Sequence, residues 1–262
     1  MRRRLDTELV RRGLVGSRAR AVEAIEGGHV TVAGAPASSA ARQVAADEPI
    51  IVTGDAPRFV SRGGRKLDAA LEHFSIDVSG RRCLDAGAST GGFTDCLLQR
   101  GASEVVAVDV GRGQLDWTLR NDERVQVMER TNLRHLTLAA LGEPCEIAVA
   151  DLSFISLVVV APALVRLTTE DAVMVLLVKP QFEAGRGRVG RGGIVRDPSV
   201  HRAVLGEVIE GLARAGVVVA GVMESPLRGA DGNVEFLARA ARSGAGVTPP
   251  LLDALVDEVH AS

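Results

Sequence analysis

Residues 84–94 read LDAGASTGGFT, and this stretch decides the fold. It opens with residues typical of a buried strand, and glycines follow at positions 87, 91 and 92. Glycine lets the backbone bend sharply and approach a ligand closely because it has no Cβ atom. The stretch therefore predicts a strand, a glycine-rich turn and a helix, which is the beginning of an α/β domain.

Apolar strands alternate with helical segments through the rest of the chain. We expect these strands within EVVAVDV, RVQVMER, EIAVADLSF, AVMVLLVKP, AGVVVAGVME and NVEFLARAA. Continuous apolar strands separated by helices indicate a mainly parallel sheet with helices on both faces. Such sheets bind their ligands at the carboxyl ends of the strands. Polar residues gather at those ends, namely Asp85, Asp109, Arg130 to Asn132, Asp151 and Lys179.

The glycine-rich turn favours a particular class of ligand. Its spacing differs from the G-x-G-x-x-G pattern of dinucleotide sites. Asp85 precedes the turn, where a carboxylate repels phosphate but suits an amino-bearing ligand. Asp109 ends the next strand, where an acid can bind ribose hydroxyls. A nucleoside without phosphates fits both features, and S-adenosylmethionine is one. The alternatives are a nicotinamide-binding domain and a degenerate sheet without a cofactor.

The N-terminal residues indicate a separate, basic domain. Residues 1–66 contain 12 Arg and Lys and 7 Asp and Glu residues, whereas the remainder of the chain is acidic. We expect two short helices between Arg4 and Gly28, with Ser17 as the N-cap of the second. Short strands are expected in HVTVAG and PIIVTG. A basic head on an acidic body suggests that the head meets a polyanion.

This region resembles the S4 RNA-binding domain through RLDTELVRRGL, SRARAVEAIEGGHVTVAG and IIVTG. The resemblance implies two helices on a small sheet that presents basic residues to structured RNA. A solvated helix face is the alternative interpretation of the arginine cluster. We expect the S4-like domain at residues 1–56, a short linker at 57–63 and a second domain at 64–262. The RNA-binding candidates are Arg3, Arg4, Arg11, Arg12, Arg18, Arg20, Arg62 and Arg65.

Lysine is rare in this chain, which has 31 Lys and Arg residues but only two lysines. Arginine keeps its proton in proteins, whereas a lysine can lose it, so the two positions suggest proton chemistry. Lys179 ends an apolar strand at the expected ligand-binding edge, and we expect Lys66 to begin the helix after the linker. An ordinary polar residue at a strand end is the alternative interpretation of Lys179.

Four residues resemble, in the same chain order, the Lys-Asp-Lys-Glu tetrad of ribose 2′-O-methyltransferases: Lys66, Asp151, Lys179 and Glu235. The glycine-rich turn likewise resembles the S-adenosylmethionine motif of class I methyltransferases. The resemblance implies catalysis by the tetrad, release of S-adenosylhomocysteine and no required metal. It also implies a set of cofactor-binding residues, namely Asp85, Gly87, Ala88, Ser89, Thr90, Gly91, Gly92, Phe93, Asp109, Thr131, Asn132 and Asp151.

Together, SRGGRKL, LDAGASTGGFT, VADLSFISL, LVKPQFE and GNVEF are similar to the TlyA-type ribosomal RNA cytidine 2′-O-methyltransferases, a family historically named hemolysin A. The resemblance implies methylation of large-subunit RNA and, in some members, of small-subunit RNA within ribosomal subunits. It also implies a link to capreomycin susceptibility. The linker departs from an Arg-x-Trp-Val sequence that some members carry, because Pro57 and Phe59 replace the Arg and the Trp. The departure concerns how the linker couples to the cofactor.

Two other classes of function remain as alternatives, a membrane-lytic protein and a non-enzymatic ribosome-binding protein. No apolar run approaches the 18 residues of a membrane-spanning helix, so we expect no membrane partner. The three cysteines are an odd number, which argues against a disulfide framework and favours the cytoplasm. The sequence leaves the oligomeric state open.

Overall fold

A computed structural model describes residues 2–53, 58–185, 187–229 and 232–261. The N-terminal part begins with strand β1 (Arg2–Arg4) and helices α1 (Leu5–Arg11) and α2 (Arg18–Glu26). Four short strands follow, namely β2 (Val30–Val32), β3 (Ala35–Pro36), β4 (Gln43–Ala45) and β5 (Ile50–Val52).

The two N-terminal helices share an apolar core with the small sheet. Leu5 and Leu9 of α1 and Ile25 of α2 are buried beside Val30 and Val32. Strand β2 lies between β3 and β5, and β1 pairs separately with β4. The Ser17 hydroxyl accepts a hydrogen bond from the backbone N–H of Arg20 and caps α2, so the predicted N-cap is confirmed.

The larger part is built on a seven-stranded sheet in the order β11-β12-β10-β9-β6-β7-β8. Its strands are β6 (Arg82–Ala86), β7 (Glu104–Val108), β8 (Val125–Met128), β9 (Cys145–Ala150), β10 (Thr168–Val178), β11 (Val218–Glu224) and β12 (Phe236–Ala241). Strands β6 to β10 pair in parallel, whereas β12 is antiparallel to both of its neighbours. The predicted mainly parallel sheet is confirmed.

Helices cover both faces of this sheet. They are α3 (Arg62–His73), α4 (Gly92–Gln99), α5 (Trp117–Arg120), α6 (Leu138–Leu141), α7 (Leu157–Leu167), α8 (Pro180–Glu183), α9 (Pro198–Arg214) and α10 (Pro249–Ala261), with short 3₁₀ turns at Leu133–His135 and Arg191–Gly193. One apolar core packs α7, α9 and α10 on the sheet, and a second packs α3, α4 and α5 on the opposite face. Within the described residues, no helix is long and apolar enough to cross a membrane.

The antiparallel direction of β12 determines where Glu235 lies. Val178 at the end of β10 pairs with Phe236 at the start of β12. The residues next to that pair, Lys179 and Glu235, therefore leave the sheet side by side at the carboxyl edge of the parallel strands. Asp151 follows β9, the parallel neighbour of β10, and so lies at the same edge.

The segment between the two parts packs against the larger one. Phe59 and Val60 are buried, and Asp95 accepts a hydrogen bond from the Val60 N–H at 2.7 Å. Helix α3 begins at Arg62, so the expectation that Lys66 begins this helix is wrong; Lys66 lies one turn inside it. Pro57 lies outside the described residues. The division into 1–56, 57–63 and 64–262 stays a prediction.

Gly64 provides a stability test of this packing. A Cβ atom there would lie 2.5 Å from the buried Cβ of Phe59, so a Gly64→Ala variant must shift the segment. We expect it to lower the free energy of unfolding by roughly 1–3 kcal/mol, the usual cost of overpacking a core. Urea denaturation followed by circular dichroism would measure this change.

Gly206→Ala is the matched control, because Gly206 lies within α9 with no atom within 4 Å of an added Cβ. Helical alanine is favoured over glycine by roughly 0.5–1 kcal/mol, so this variant should be more stable than the wild type. Equal stability of the Gly64→Ala variant and the wild type would contradict the packing described for Phe59.

Candidate active site

The turn between β6 and α4 forms a cradle at the carboxyl edge of the sheet. Gly87 and Gly91 adopt positive φ angles of 89° and 95°, which favour glycine. A Cβ atom on Gly87 would collide with the carbonyl oxygen of Asp151, and one on Gly92 with the Ser61 hydroxyl. Glycine at these positions therefore lets the turn lie directly against β9 and against the segment before α3.

Asp85 lies beneath this cradle. Its carboxylate is completely buried, and one oxygen accepts a hydrogen bond from the Thr94 hydroxyl at 2.6 Å. Burial raises the pKa of Asp85 to about 7. Its other oxygen, Oδ1, has no hydrogen-bond partner among the described residues. A hydrogen-bond acceptor without a partner behind the cradle fits the prediction of an amino-bearing ligand on which Asp85 acts through the turn.

Two connected cavities open beside the cradle. The smaller has a volume of about 160 Å³ and is lined by Ser61, Gly63, Gly87, Ala88, Ser89, Thr90, Gly92, Phe93, Asp151, Ser153 and Lys179. The larger, of about 470 Å³, is lined by Gly87, Ser89, Val108, Asp109, Val110, Gln114, Thr131, Asn132, Leu133, Asp151, Leu152, Ser153, Phe154, Ile155 and Val160. Because four residues line both cavities, we treat them as one cleft.

The cleft gathers most of the predicted cofactor-binding residues. Ten of them line it, and the two others, Asp85 and Gly91, support the cradle from behind. The Asp109 carboxylate accepts hydrogen bonds from the backbone N–H groups of Ser89 at 2.8 Å and Gly111 at 2.6 Å. These bonds fix the acid at the wall of the larger cavity.

Two lysine–carboxylate pairs lie beyond the cradle. Lys179 Nζ lies 2.6 Å from Asp151 Oδ1 and donates a hydrogen bond to the Ser153 hydroxyl at 3.2 Å. Lys66 Nζ donates to Glu235 Oε2 at 2.5 Å. Lys179 and Asp151 line the cleft, whereas Lys66 and Glu235 are absent from its walls. The four predicted residues therefore form one pair at the cleft and one behind it.

Gln181 contacts the pair behind the cleft. Its side-chain amide lies 3.5 Å from Glu235 Oε1, and it follows Lys179 by two residues on α8. Lys66 is nearly buried and Glu235 is more so, with side-chain exposures of 10% and 3%. A buried charge is unfavourable without a partner of opposite charge, and Lys66 and Glu235 provide that partner for each other.

Sequence reasoning missed several residues of the cleft. Ser61 and Gly63 form part of its wall because the segment before α3 packs on the cradle. Phe154 is 90% exposed, has a positive φ of 64°, and stacks at a tilt on Phe182 with 5.0 Å between ring centroids. The signal for Phe154 was its place in the ADLSFIS motif, three residues after Asp151, but exposure cannot be read from the sequence.

The predicted RNA-binding arginines do not form one group. Arg3, Arg4, Arg11 and Arg18 are exposed on the N-terminal part. The Arg12 side chain donates hydrogen bonds to backbone carbonyl groups of the same part of the chain, and Arg20 is half-buried. Arg62 and Arg65 lie on α3. Arg62 donates to Glu26 of α2 at 2.9 Å and to the Arg228 carbonyl at 2.7 Å, which links the two parts of the chain. Arg65 lines a cavity between them, with Glu23 and His29 opposite.

The described residues contain no group of three or more His, Cys, Asp or Glu side chains placed to hold a metal ion.

Comparison with known proteins matches both parts of the chain. Residues 59–242 match the FtsJ-like methyltransferases and residues 3–50 match the S4 domain. The chain is 54% identical over 236 residues to the 16S/23S rRNA (cytidine-2′-O)-methyltransferase TlyA of Mycobacterium tuberculosis, covering 90% of this chain and 88% of that one. It is 40% identical to Hemolysin A of Brachyspira hyodysenteriae, covering 90% and 98%.

A solved structure from Streptococcus thermophilus, provisionally named a hemolysin, superposes on almost the whole chain. The TM-score is 0.81 at 38% identity, covering 99% of this chain and 96% of that one. The chain therefore belongs to the TlyA family of FtsJ-like methyltransferases and carries an S4 domain before its methyltransferase domain.

Proposed function

We propose that this chain transfers the methyl group of S-adenosylmethionine to the 2′-hydroxyl of cytidine in ribosomal RNA, with S-adenosylhomocysteine as the other product. The observation that carries the proposal is the Lys179–Asp151 pair, which faces the same cleft as the glycine cradle and Asp109. The choice of cytidine in ribosomal RNA as the substrate is based on the name of the Mycobacterium tuberculosis relative. The proposed substrate is the ribosomal RNA within ribosomal subunits, and the proposed location is the cytoplasm.

The cradle and Asp109 suit the methyl donor. The glycines at positions 87 and 92 line the cleft and let the turn pack against Asp151 and Ser61, which shapes the wall on which the donor lies. Asp109 offers acceptors for the ribose hydroxyls of the donor. Asp85 is buried behind the turn and acts on the amino group of the donor through the turn, not by direct contact in the cleft. When bound, S-adenosylmethionine supplies a methyl group on a positively charged sulfur, which an oxygen nucleophile can accept.

Lys179 is the residue best placed to act on the ribose hydroxyl. In its neutral form it can take the hydroxyl proton, and in its charged form it can stabilise the negative charge that develops on the oxygen. Asp151 and Ser153 hold the amine at the cleft wall. Lys66, Glu235 and Gln181 form the support behind them.

Phe154 gives the nucleobase a surface on which to stack. Proteins that recognise particular RNA nucleotides commonly bind bases that are splayed out of the helix and stack them on aromatic side chains. Phe154 exposes its ring at the edge of the cleft, and Phe182 supports it from beside Lys179. We therefore assign Phe154 to the base of the target cytidine.

A direct test would incubate isolated small and large ribosomal subunits that lack the modification with tritiated S-adenosylmethionine. We expect label in RNA, on cytidines whose 3′ linkage resists alkaline cleavage because the 2′-oxygen is methylated. Absence of label from both subunits, or label on a base, would refute the proposal. The link to capreomycin susceptibility stays a prediction from the family resemblance.

Lys179→Arg tests the proton acceptor. Arginine keeps the positive charge beside Asp151 but does not release its proton, so we expect kcat to fall about 10²- to 10⁴-fold. Binding of S-adenosylmethionine, measured by calorimetry, should remain within a few-fold of the wild type.

Lys66→Arg is the comparison variant, and its loss of kcat should be smaller because Lys66 is absent from the cleft walls. The unfolding midpoint of each variant would separate catalytic loss from instability. Normal methylation by the Lys179→Arg variant would show that Lys179 is not the base.

Phe154→Ala tests base stacking. A base stacked on an aromatic ring is worth about 1–3 kcal/mol, so we expect KM for the ribosomal subunit to rise about 5- to 150-fold. Phe154→Trp keeps an aromatic surface and should restore most of the affinity. An unchanged KM in the alanine variant would rule out the stacking role, once binding of S-adenosylmethionine alone is shown to be intact.

A further inference from the structure

Two acidic residues lie at the centre of the basic surface of the S4 domain. Asp6 and Glu8 of α1 are each only 1% exposed, although the arginines around them are close to half-exposed. A buried carboxylate is unfavourable unless charged partners compensate for its lost hydration. The contacts of the two acids show that arginines provide this compensation.

Asp6 joins arginines from two elements. Arg4, at the end of β1, donates through Nε at 3.1 Å and through Nη2 at 3.0 Å. Arg18, at the start of α2, donates through Nη2 at 2.8 Å. The backbone N–H of Thr7 also donates to Asp6 at 2.7 Å, which fixes the carboxylate. Burial favours the neutral acid, but the bonds from Arg4 and Arg18 outweigh it and hold the pKa of Asp6 well below its ordinary value.

Glu8 holds a second set of arginines. Arg11 donates to it through Nε at 2.8 Å and Nη2 at 2.5 Å, and Arg12 donates through Nε at 2.8 Å. Arg3 Nη1 lies 3.9 Å from it. The hydrogen bonds from Arg11 and Arg12 lower the pKa of Glu8 to about 2. Glu8 is therefore ionised throughout the physiological pH range.

Arg12 differs from the other arginines. Its two terminal nitrogens donate to the backbone carbonyl groups of Ala45, Ala46 and Glu48, and its side chain is only 20% exposed. Its donors are thus used within the domain. The other four arginines have side-chain exposures between 45% and 63%: Arg3, Arg4, Arg11 and Arg18.

These four arginines keep donors for a ligand. A guanidinium group has five N–H donors, and the described contacts of Arg18 with Asp6 use one nitrogen, while those of Arg4 use two. Four positive charges around two carboxylates leave a net positive surface. Ordering a long side chain on binding costs affinity, and a side chain that is already held avoids that cost.

We propose that Asp6 and Glu8 are positioning residues for RNA recognition. Their carboxylates hold the guanidinium groups of Arg4, Arg11 and Arg18 by hydrogen bonds, and that of Arg3 by a longer ion pair, before RNA arrives. The remaining N–H groups of those arginines bind RNA phosphates. The inference rests on the proposed function, because it takes ribosomal RNA as the ligand of the S4 domain. It also removes Arg12 from the predicted set of RNA contacts.

The proposal has an outcome opposite in sign to that of simple electrostatics. Removing a negative charge from a protein that binds a polyanion should strengthen binding if only net charge matters. If the carboxylate positions the arginines, removing it weakens binding. An Asp6→Asn variant therefore distinguishes the two accounts by the direction of the change in Kd.

The experiment measures the Kd of the full chain for the isolated ribosomal subunit that the wild type methylates. The KCl concentration is varied from about 50 to about 200 mM at constant Mg²⁺, a range over which the affinity of a protein for nucleic acid falls steeply. We expect Asp6→Asn to raise Kd roughly fivefold or more, since two side chains lose their order. The slope of log Kd against log salt concentration should decrease by about 1, as expected for the loss of one phosphate contact. KM for the subunit should rise, while kcat and binding of S-adenosylmethionine stay unchanged.

Asp47→Asn is the matched control, because Asp47 is exposed in the same domain and is not one of the two acids that hold the arginines. It makes the same change of net charge, so it should bind RNA as tightly as the wild type or more tightly. In an Arg18→Ala background, Asp6→Asn should have a smaller effect, because one of the side chains it positions is already gone.

Glu8→Gln provides a second acid variant if Asp6→Asn lowers the unfolding midpoint. A folded acid variant that binds as tightly as Asp47→Asn would overturn the positioning role, and so would loss of folding in both acid variants. Failure of the wild type itself to bind or methylate the subunit would instead refute the proposed function.

Discussion

The close approach of Gly87 to the backbone of Asp151 is the constraint on which the rest of the site depends. Gly87 begins the cradle after β6, and Asp151 is the first residue after β9, so two neighbouring strands end against each other. The Asp151 N–H also donates to the Ala86 carbonyl at 3.0 Å. A side chain at position 87 would push the strand ends apart. Only with glycine there can the cofactor cradle and the acid that holds Lys179 share one cleft.

The reversed last strand completes that cleft from the other side. A parallel strand in the position of β12 would place Glu235 at the opposite edge of the sheet, far from Lys179. Because β12 is antiparallel, the residue before it meets the residue after β10. Glu235 then supplies the charge that Lys66 needs in a nearly buried position. Three strand ends and one helix thus converge on one small region, although their residues are spread over 170 positions, from Lys66 to Glu235.

The parts that could be predicted from the sequence are those that strand direction determines. Asp109, Asp151 and Lys179 each follow an apolar strand, and parallel strands must bring such residues to one edge. Contacts between elements could not be predicted in this way. Phe154 shows its exposure only after folding, and Ser61 reaches the cleft only because Phe59 anchors the preceding segment in the core. The start of α3 at Arg62 could not be predicted because the first residues of this helix include two glycines, which are weak helix formers.

Both domains use the same device, a carboxylate that holds a cation, and the choice of cation follows the chemistry. On the S4 domain the cations are arginines, whose planar forks can bind a carboxylate on one side and a phosphate on the other without losing charge. In the methyltransferase domain Asp151 at the cleft and Glu235 behind it hold lysines, the one strongly basic side chain that can give up its proton. A chain with 31 basic residues has lysine at only two positions, and each is paired with an acid, one at the cleft and one behind it. The rarity of lysine is explained if arginine serves wherever a fixed charge is enough.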